Sequence, residues 1–233
     1  MKRIDEISRK ELVAKTKVQS PARYNKRMEY NIRQIKSVDF DELLNTGRLV
    51  VETLVGDYDV TIAFDDFLGC LSYIVSRQSK HNCTLQSVTR AIMMAVESDE
   101  VLTDCTCGDF KYRFAYWATK YGYKYGEPQN EPANVRNPED NIGAVCKHLT
   151  MVLSNKRWMA KVAQIVNADI RKNVNDYREA MGLDEDEFYV NEIILFGDLD
   201  KKGQDKEEPE LREPEKRNGL PKFLSNEPDE DEE

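Results

Sequence analysis

The chain has 233 residues, and its 34 Lys or Arg against 43 Asp or Glu give a formal net charge of −9 at pH 7. A chain of this length can bury a core without disulfides, and an acidic total charge argues against nucleic-acid binding by the whole surface. No run approaches the roughly 18 apolar residues of a membrane span, and residues 1–11 carry charge without an apolar export signal. We therefore expect no membrane contact and a reducing compartment, where thiols are free to bind metal.

Charge divides the chain into three parts. Residues 1–36 hold eleven Lys or Arg against four acidic residues, which predicts a basic N-terminal arm. Residues 197–233 hold fourteen acidic residues against seven basic ones and are interrupted by prolines, which predicts an acidic, disordered tail. Residues 37–196 contain most of the aromatic residues and fit one globular domain of about 160 residues.

A β-hairpin is the first element predicted inside the domain. Residues 49–55 and 60–64 are rich in β-branched side chains and are separated by a short turn beginning at Gly56. Asp65 or Asp66 then caps a helix, and a second helix with one apolar face follows it. The apolar positions of the two helices are Phe67, Leu71, Ile74 and Val75, then Leu85, Val88, Ile92 and Val96.

Three further helices are predicted from helical spacing. An aromatic stripe predicts a helix that begins near Asp109, and prolines place a loop over residues 122–141. A second apolar stripe covers residues 142–153, and the longest helix runs over residues 158–181 with Gly182 as its stop signal. The aromatic stripe consists of Phe110, Phe114, Trp117 and Tyr121.

Two short motifs carry the chemistry, Cys105-Thr-Cys107 and Cys146-Lys-His148. Three thiols and one imidazole suit tetrahedral zinc, and four protein ligands leave no open position for catalytic water. We therefore predict a structural zinc site and no enzymatic activity. Side chains at i and i+2 diverge on a regular helix, so Cys146 and His148 can share one ion only if the helix begins near residue 145.

Other interpretations of the same residues remain open. The cysteines could be ordinary buried thiols, with His148 an ordinary first-turn residue. His81-Asn-Cys83 is a rival dyad that would replace one ligand, or it is a loop between helices. The sequence has no Gly-rich phosphate loop, and only His81 is left as a general base once His148 binds metal, which also argues against an enzyme.

The order Cys-x-Cys…Cys-x-His resembles that of SWIM-type zinc modules, in which the first pair lies on a β-turn and the second at the start of a helix. The stretch from Cys105 through the Cys-Lys-His motif resembles SWIM-like proteins encoded by tailed bacteriophages, over about residues 103–155. The resemblance implies zinc bound by Cys105, Cys107, Cys146 and His148. It also implies a virion component made in the bacterial host cytoplasm.

The resulting expectation is an α+β, mostly α fold: a small β-hairpin and helices around a structural zinc site, with extended N- and C-terminal arms. The first functional hypothesis is a structural subunit of a tailed-bacteriophage particle, in the portal, neck or tail region, whose arms contact other virion subunits in a hetero-oligomeric assembly. The alternative is a SWIM-type nucleic-acid-binding or regulatory module. Its arm would contact DNA through basic residues interleaved with Tyr24 and Tyr30, namely Lys15, Lys17, Arg23, Lys26, Arg27 and Arg33.

Overall fold

Residues 7–78, 81–97, 100–132 and 143–190 are the part of the chain that the computed structural model describes. They form the predicted α+β fold, in which helices surround one antiparallel sheet. The helices are α1 (Arg9–Gln19), α2 (Pro21–Lys26), α3 (Phe40–Thr46), α4 (Phe67–Ser76), α5 (Leu85–Glu97), α6 (Ala115–Lys120), α7 (Lys147–Ser154), α8 (Trp158–Lys172) and α9 (Val174–Met181). The strands are β1 (Ile32–Val38), β2 (Leu49–Val55), β3 (Tyr58–Phe64) and β4 (Leu102–Cys105).

The sheet has the strand order β1-β2-β3-β4, and each neighbouring pair is antiparallel. The predicted hairpin is confirmed as β2 and β3, whose closing pair is Val55 and Tyr58. Gly56 occupies the turn with φ of 62°, a left-handed conformation that favours glycine. The sequence did not predict β1 or β4, which extend the hairpin on its two sides.

The core lies between the sheet and the helices that cover it. The side chains of β2 and β3 alternate toward this core, and Val51, Val60 and Ile62 are fully buried there. Phe64 of β3 stacks on Trp158 at the start of α8, with ring centroids 6.1 Å apart and an interplanar angle of 14°. In the described ranges, no helix is long and apolar enough to cross a membrane.

The basic N-terminal segment, expected to be an extended arm, is part of the fold from residue 7 onward. Helix α1 begins with a capping box between Ser8 and Glu11, and its Leu12 is fully buried. The chain then enters β1, so the boundary predicted after residue 36 falls inside a strand that pairs with β2. Charge counting missed this because a few apolar side chains suffice to pack the segment on the core. The predicted domain end at 196 and the tail 197–233 lie outside the described residues.

The longest predicted helix is divided into α8 and α9 at Asn173, which leaves helical geometry with φ of −124° and ψ of 40°. Its side-chain amide donates a hydrogen bond of 3.0 Å to the Asp169 carboxylate one turn earlier. The Asn173 backbone N–H also donates to the Asp169 carbonyl at 3.0 Å, and this bond closes the last turn of α8. Gly182 ends α9 with φ of 63°, as predicted.

Candidate metal centre

The first cysteine pair lies where β4 ends. Cys105 is the last residue of this strand, and Cys107 follows after one residue. Thr106 between them is tied to the start of β3: its backbone N–H donates to the Asp59 carbonyl, and the Asp59 N–H donates to the Thr106 hydroxyl, both at 3.0 Å. The Cys-x-Cys turn is therefore held against the hairpin by two reciprocal hydrogen bonds.

Cys107 also begins the aromatic helix. Its Sγ accepts a hydrogen bond of 3.3 Å from the Phe110 N–H, as a side-chain acceptor at a helix start does. The helix opens with a π-helical segment, Phe110–Phe114, and continues as α6. Phe110, Phe114 and Trp117 are buried, as the stripe predicted. A π-helical turn is often found next to a functional site, and here it directly follows the ligand pair.

The second motif lies at the start of α7. Cys146 is the N-cap residue with an extended backbone, φ of −67° and ψ of 165°, and α7 begins at Lys147. The prediction that this helix begins near residue 145 is confirmed. Because Cys146 is outside the helical geometry, its thiol and the ring of His148 can point to the same place. The Cys146 carbonyl accepts hydrogen bonds from the Thr150 N–H at 2.9 Å and hydroxyl at 2.8 Å.

The structure brings all four predicted side chains together. The donor atoms of Cys105, Cys107, Cys146 and His148 lie within 4.8 Å of one another, and each side chain is buried. The Cys105 Sγ is 3.9 Å from the His148 Nδ1. Donors around tetrahedral zinc are separated by about 3.6 to 3.8 Å, given bonds of about 2.3 Å to sulfur and 2.0 Å to nitrogen. The cluster is therefore compatible with a metal ion such as zinc.

The rival dyad lies elsewhere. His81 and Cys83 are in the connection between α4 and α5, as the loop interpretation predicted, and neither belongs to the cluster. Cys83 is buried, and this burial raises the pKa of its thiol to about 12. A buried protonated thiol of this kind is a packing residue.

The histidine ring is oriented by two tyrosines that sequence spacing did not reveal. Its Nδ1 faces the Cys105 thiol, whereas its Nε2 is buried without a hydrogen-bond partner among the described residues. Tyr30 meets the ring edge-on and Tyr58 lies against it at a tilt, each with centroids 4.6 Å away. This arrangement leaves Nδ1 as the ring nitrogen that faces the thiols.

The protonation of the three thiols is strongly coupled. Hydrogen bonds from Cys105 and Cys146 hold the pKa of Cys107 far below its ordinary value. The hydrogen bond to Cys107 raises the pKa of Cys105, and burial raises that of Cys146. A cation at the centre of the cluster would favour deprotonation of all three thiols.

Two basic side chains lie close to the thiols. Arg23 donates to both oxygens of Asp109, at 2.7 and 3.0 Å. This hydrogen bonding raises the pKa of Arg23, and the charges of Cys146 and Cys107 raise it further. The hydrogen bond with Tyr30 raises the pKa of Lys147, with smaller contributions from Asp109 and Cys107.

Lys147, Lys111 and Arg113 are the cations that lie close to the ligands in the sequence and could balance thiolate charge. Of these, Arg113 pairs with Asp109 at 3.2 Å, and Lys111 lines a cavity beside Cys105. Arg23 was not predicted in this role, because it lies 82 positions before Cys105 and no spacing rule connects the two.

Helix α1 packs against residues 143–146, the segment that leads to Cys146. The buried hydroxyl of Thr16 accepts a hydrogen bond of 3.0 Å from the Val145 N–H, next to Cys146. Gly143 has φ of 73°, and a Cβ there would lie 2.6 Å from the Lys15 side chain. Glycine therefore allows α1 and the ligand segment to approach this closely.

No protein-family model matches this chain, and no curated protein or solved structure matches it. The fold and the site define the class: an α+β protein with a buried cluster of three cysteines and one histidine that is able to hold a metal ion.

Proposed function

We propose that the cluster is a structural zinc site that cross-links the domain, and that the chain is a structural subunit of a tailed-bacteriophage particle. The observation that carries the zinc assignment is the convergence of four buried donors from two distant segments. Four protein donors complete a tetrahedral sphere and leave no position for a reactive water. The zinc therefore fastens the end of β4 and the aromatic helix to the start of α7.

The charge of the site supports the same role. Zinc with three thiolates and one neutral imidazole carries a net charge near −1. Hydrogen bonding to Asp109 raises the pKa of Arg23 and hydrogen bonding to Tyr30 raises that of Lys147, and the charge of Cys107 raises both further. Cations beside an anionic site stabilise it without taking part in a reaction.

The particle assignment is supported by the resemblance of residues 103–155 to SWIM-like phage proteins and by the opposite charges of the chain's two ends. Complementary charges on neighbouring subunits set register and partner choice in assemblies. In this proposal the subunit belongs to the portal, neck or tail region, and its partners are other virion proteins.

Nucleic-acid binding has less support than assembly. It requires the basic residues of segment 1–36 to be available for phosphates. Arg9 instead pairs with Glu97 at 2.8 Å, and Arg23 pairs with Asp109 at 2.7 Å. Cations that are committed to ion pairs inside the domain contribute little to counterion release on DNA.

Metal analysis of the purified full chain tests the zinc site. We expect one zinc per chain in the wild type and in Cys83→Ser, whose thiol lies outside the cluster, and loss of zinc in Cys107→Ser and His148→Ala. Circular dichroism separates metal loss from gross unfolding. Unchanged zinc in both ligand variants would rule out the ligand assignment.

The particle role needs a separate test. Mass spectrometry of purified particles from the virus that encodes the chain should find its peptides in proportion to those of other structural subunits. Absence of the chain from intact particles contradicts the subunit role and leaves the zinc assignment untouched. Salt-sensitive binding of DNA by the purified chain would instead favour the nucleic-acid alternative.

A further inference from the structure

Strand β1 has one open edge. It is the outermost strand of the sheet and pairs only with β2 among the described strands. A cavity of about 480 Å³ lies beside it, lined by the five consecutive residues 31–35. Four of these residues, 32–35, belong to β1, so the cavity runs along this outermost strand. We call this cavity the β1 groove; its other wall is formed by Asn155, Arg157, Trp158 and Lys161.

The β1 groove is positively charged. Its lining includes Arg33, Arg157 and Lys161 and contains no acidic residue. Arg33 reaches Asp57 at 3.0 Å, but both side chains are mostly exposed, and such surface pairs exchange readily. Arg157 and Lys161 are exposed and have no ion pair with any described residue. The first turn of α8 adds the positive end of a helix dipole to the same wall.

We propose that the β1 groove binds an acidic, extended peptide segment of a neighbouring subunit by strand addition to β1. This rests on the proposed function only in taking the chain as a subunit that contacts neighbours. An open edge offers backbone N–H and C=O groups in the spacing that an added strand requires. The half-buried Ile32 and Ile35 supply apolar contacts along the groove, and the three cations select acidic side chains.

A second copy of β1 fits this edge poorly. The register of β1 against β2 shifts between Ile32 and Gln34 and again between Ile35 and Ser37. These irregularities leave Arg33 and Lys36 outside the regular pairing. Lys36 is held by Glu52 at 2.6 Å and Asp59 at 3.0 Å. Bulges and cations on an edge strand disfavour pairing with an identical edge, because like charges would face each other. Arg33, together with Arg157 and Lys161 across the groove, favours an acidic strand instead, which gives the edge its selectivity.

A nucleic acid fits less well than a peptide. It would use the three cations but would leave the backbone groups of the strand edge without partners. An acidic peptide satisfies both the charges and the edge. The distinction is measurable, because only strand addition protects the amide groups of β1 from hydrogen exchange.

The test uses the full, zinc-loaded chain and a fluorescent decapeptide of five Glu-Thr repeats, an acidic strand-forming probe. The matched neutral probe has five Gln-Thr repeats, and a ten-nucleotide oligothymidylate represents nucleic acid. Fluorescence anisotropy compares the wild type with the double variant Arg157→Gln and Lys161→Gln. Lys172→Gln is the matched control, because it removes one exposed cation from the far end of the same helix.

We expect the double variant and the neutral probe each to weaken binding by about tenfold or more, and Lys172→Gln to change it by less than about twofold. Hydrogen exchange of residues 32–38 should slow when the acidic probe binds. Equal binding by the double variant, unchanged exchange, or tighter binding of the oligothymidylate would each overturn the proposal. Zinc content is measured in the same samples. If the wild type holds its full zinc and still fails to bind the acidic probe, the groove proposal is contradicted and the zinc assignment is not affected.

Discussion

Removing the metal should destabilise the domain by an amount that can be estimated from the spacing of the ligands. Cys107 and Cys146 are 39 positions apart. The chain-entropy relation for cross-links gives about 4 kcal/mol for a closed loop of roughly 40 residues. This value counts only chain entropy and leaves out the energy of the bonds between zinc and its ligands.

Bond formation between zinc and three thiolates adds to that value. Structural zinc sites contribute on the order of 10 kcal/mol to folding at neutral pH. The net stability of a domain is commonly about 5 to 15 kcal/mol, so the metal-free chain should be marginally stable at best. Since about 1 kcal/mol shifts the melting temperature by roughly 2 to 4 °C in a protein of this size, we expect a fall of at least about 10 °C.

Trp117 and Trp158 are both buried, so their fluorescence reports unfolding during a thermal or urea titration. The zinc-loaded chain is compared with the same chain after treatment with a high-affinity zinc chelator. Cys83→Ser should lose as much stability on chelation as the wild type does, whereas Cys146→Ser should be unstable and insensitive to chelator. A melting temperature that moves by less than about 3 °C, with zinc completely removed, would refute the cross-link argument.

Three further perturbations test the surroundings of the site. Arg23→Gln removes a cation beside Cys107 and Cys146, so zinc affinity should fall by about tenfold or more in a chelator competition titration, while Arg33→Gln should leave it unchanged. Thr16→Val leaves the buried Val145 N–H without its acceptor and should lower the free energy of unfolding by about 1 to 3 kcal/mol in urea titrations; an unchanged midpoint contradicts the contact. Glu97→Gln should destabilise the chain by about 1 to 2 kcal/mol at pH 7, because Glu97 pairs with Arg9, Lys10 and Lys156. Hydrogen bonds from Lys10 and Lys156 lower the Glu97 pKa from 4.5 to about 2. Because the pKa is lowered on folding, this stabilisation is complete above pH 4.5 and is lost as pH falls toward 2. The free energies of unfolding of the wild type and Glu97→Gln should therefore converge near pH 2. A difference between them that grows as the pH falls contradicts this assignment.

The elements that the sequence predicted well are those whose pattern is local. The hairpin follows from β-branched residues and a glycine turn, and α5 follows from one apolar face. The convergence of the four donor side chains was predicted because paired donors at fixed spacing are rare in a chain with five cysteines and two histidines. The start of α7 followed from geometry, since Cys146 and His148 cannot share an ion from within a regular helix.

Strand β1 shows why other elements escaped prediction. Its Ile32, Ile35 and Val38 recur every three positions, which resembles a helical period more than the period of two that marks a strand. Two register shifts against β2 explain this spacing, because each inserts one residue and returns the next apolar side chain to the core. Such irregularities depend on the partner strand and leave no separate signal in the sequence.

The surroundings of the metal centre escaped prediction for a different reason. Arg23, Tyr30 and Tyr58 approach the ligands only because the chain folds back from the sheet to the start of α7. Tyr30 and Tyr58 each lie 4.6 Å from the His148 ring, yet they precede it by more than one hundred and by ninety positions. Contacts over such separations follow from tertiary structure, which spacing arguments do not reach.

These contacts also change the meaning of the basic N-terminal composition. Thr16 holds Val145, Arg23 holds Asp109, and Tyr30 packs on His148, so the segment touches both halves of the ligand set. A site with three thiolates is anionic even with zinc bound, and a cation-rich segment packed on it lowers the electrostatic free energy of the folded state. Composition alone assigned the positive charge of this segment to an external partner. Part of that charge therefore has its partner inside the domain. The groove beside β1, whose Arg157 and Lys161 come from α8, keeps positive charge that is available to a partner.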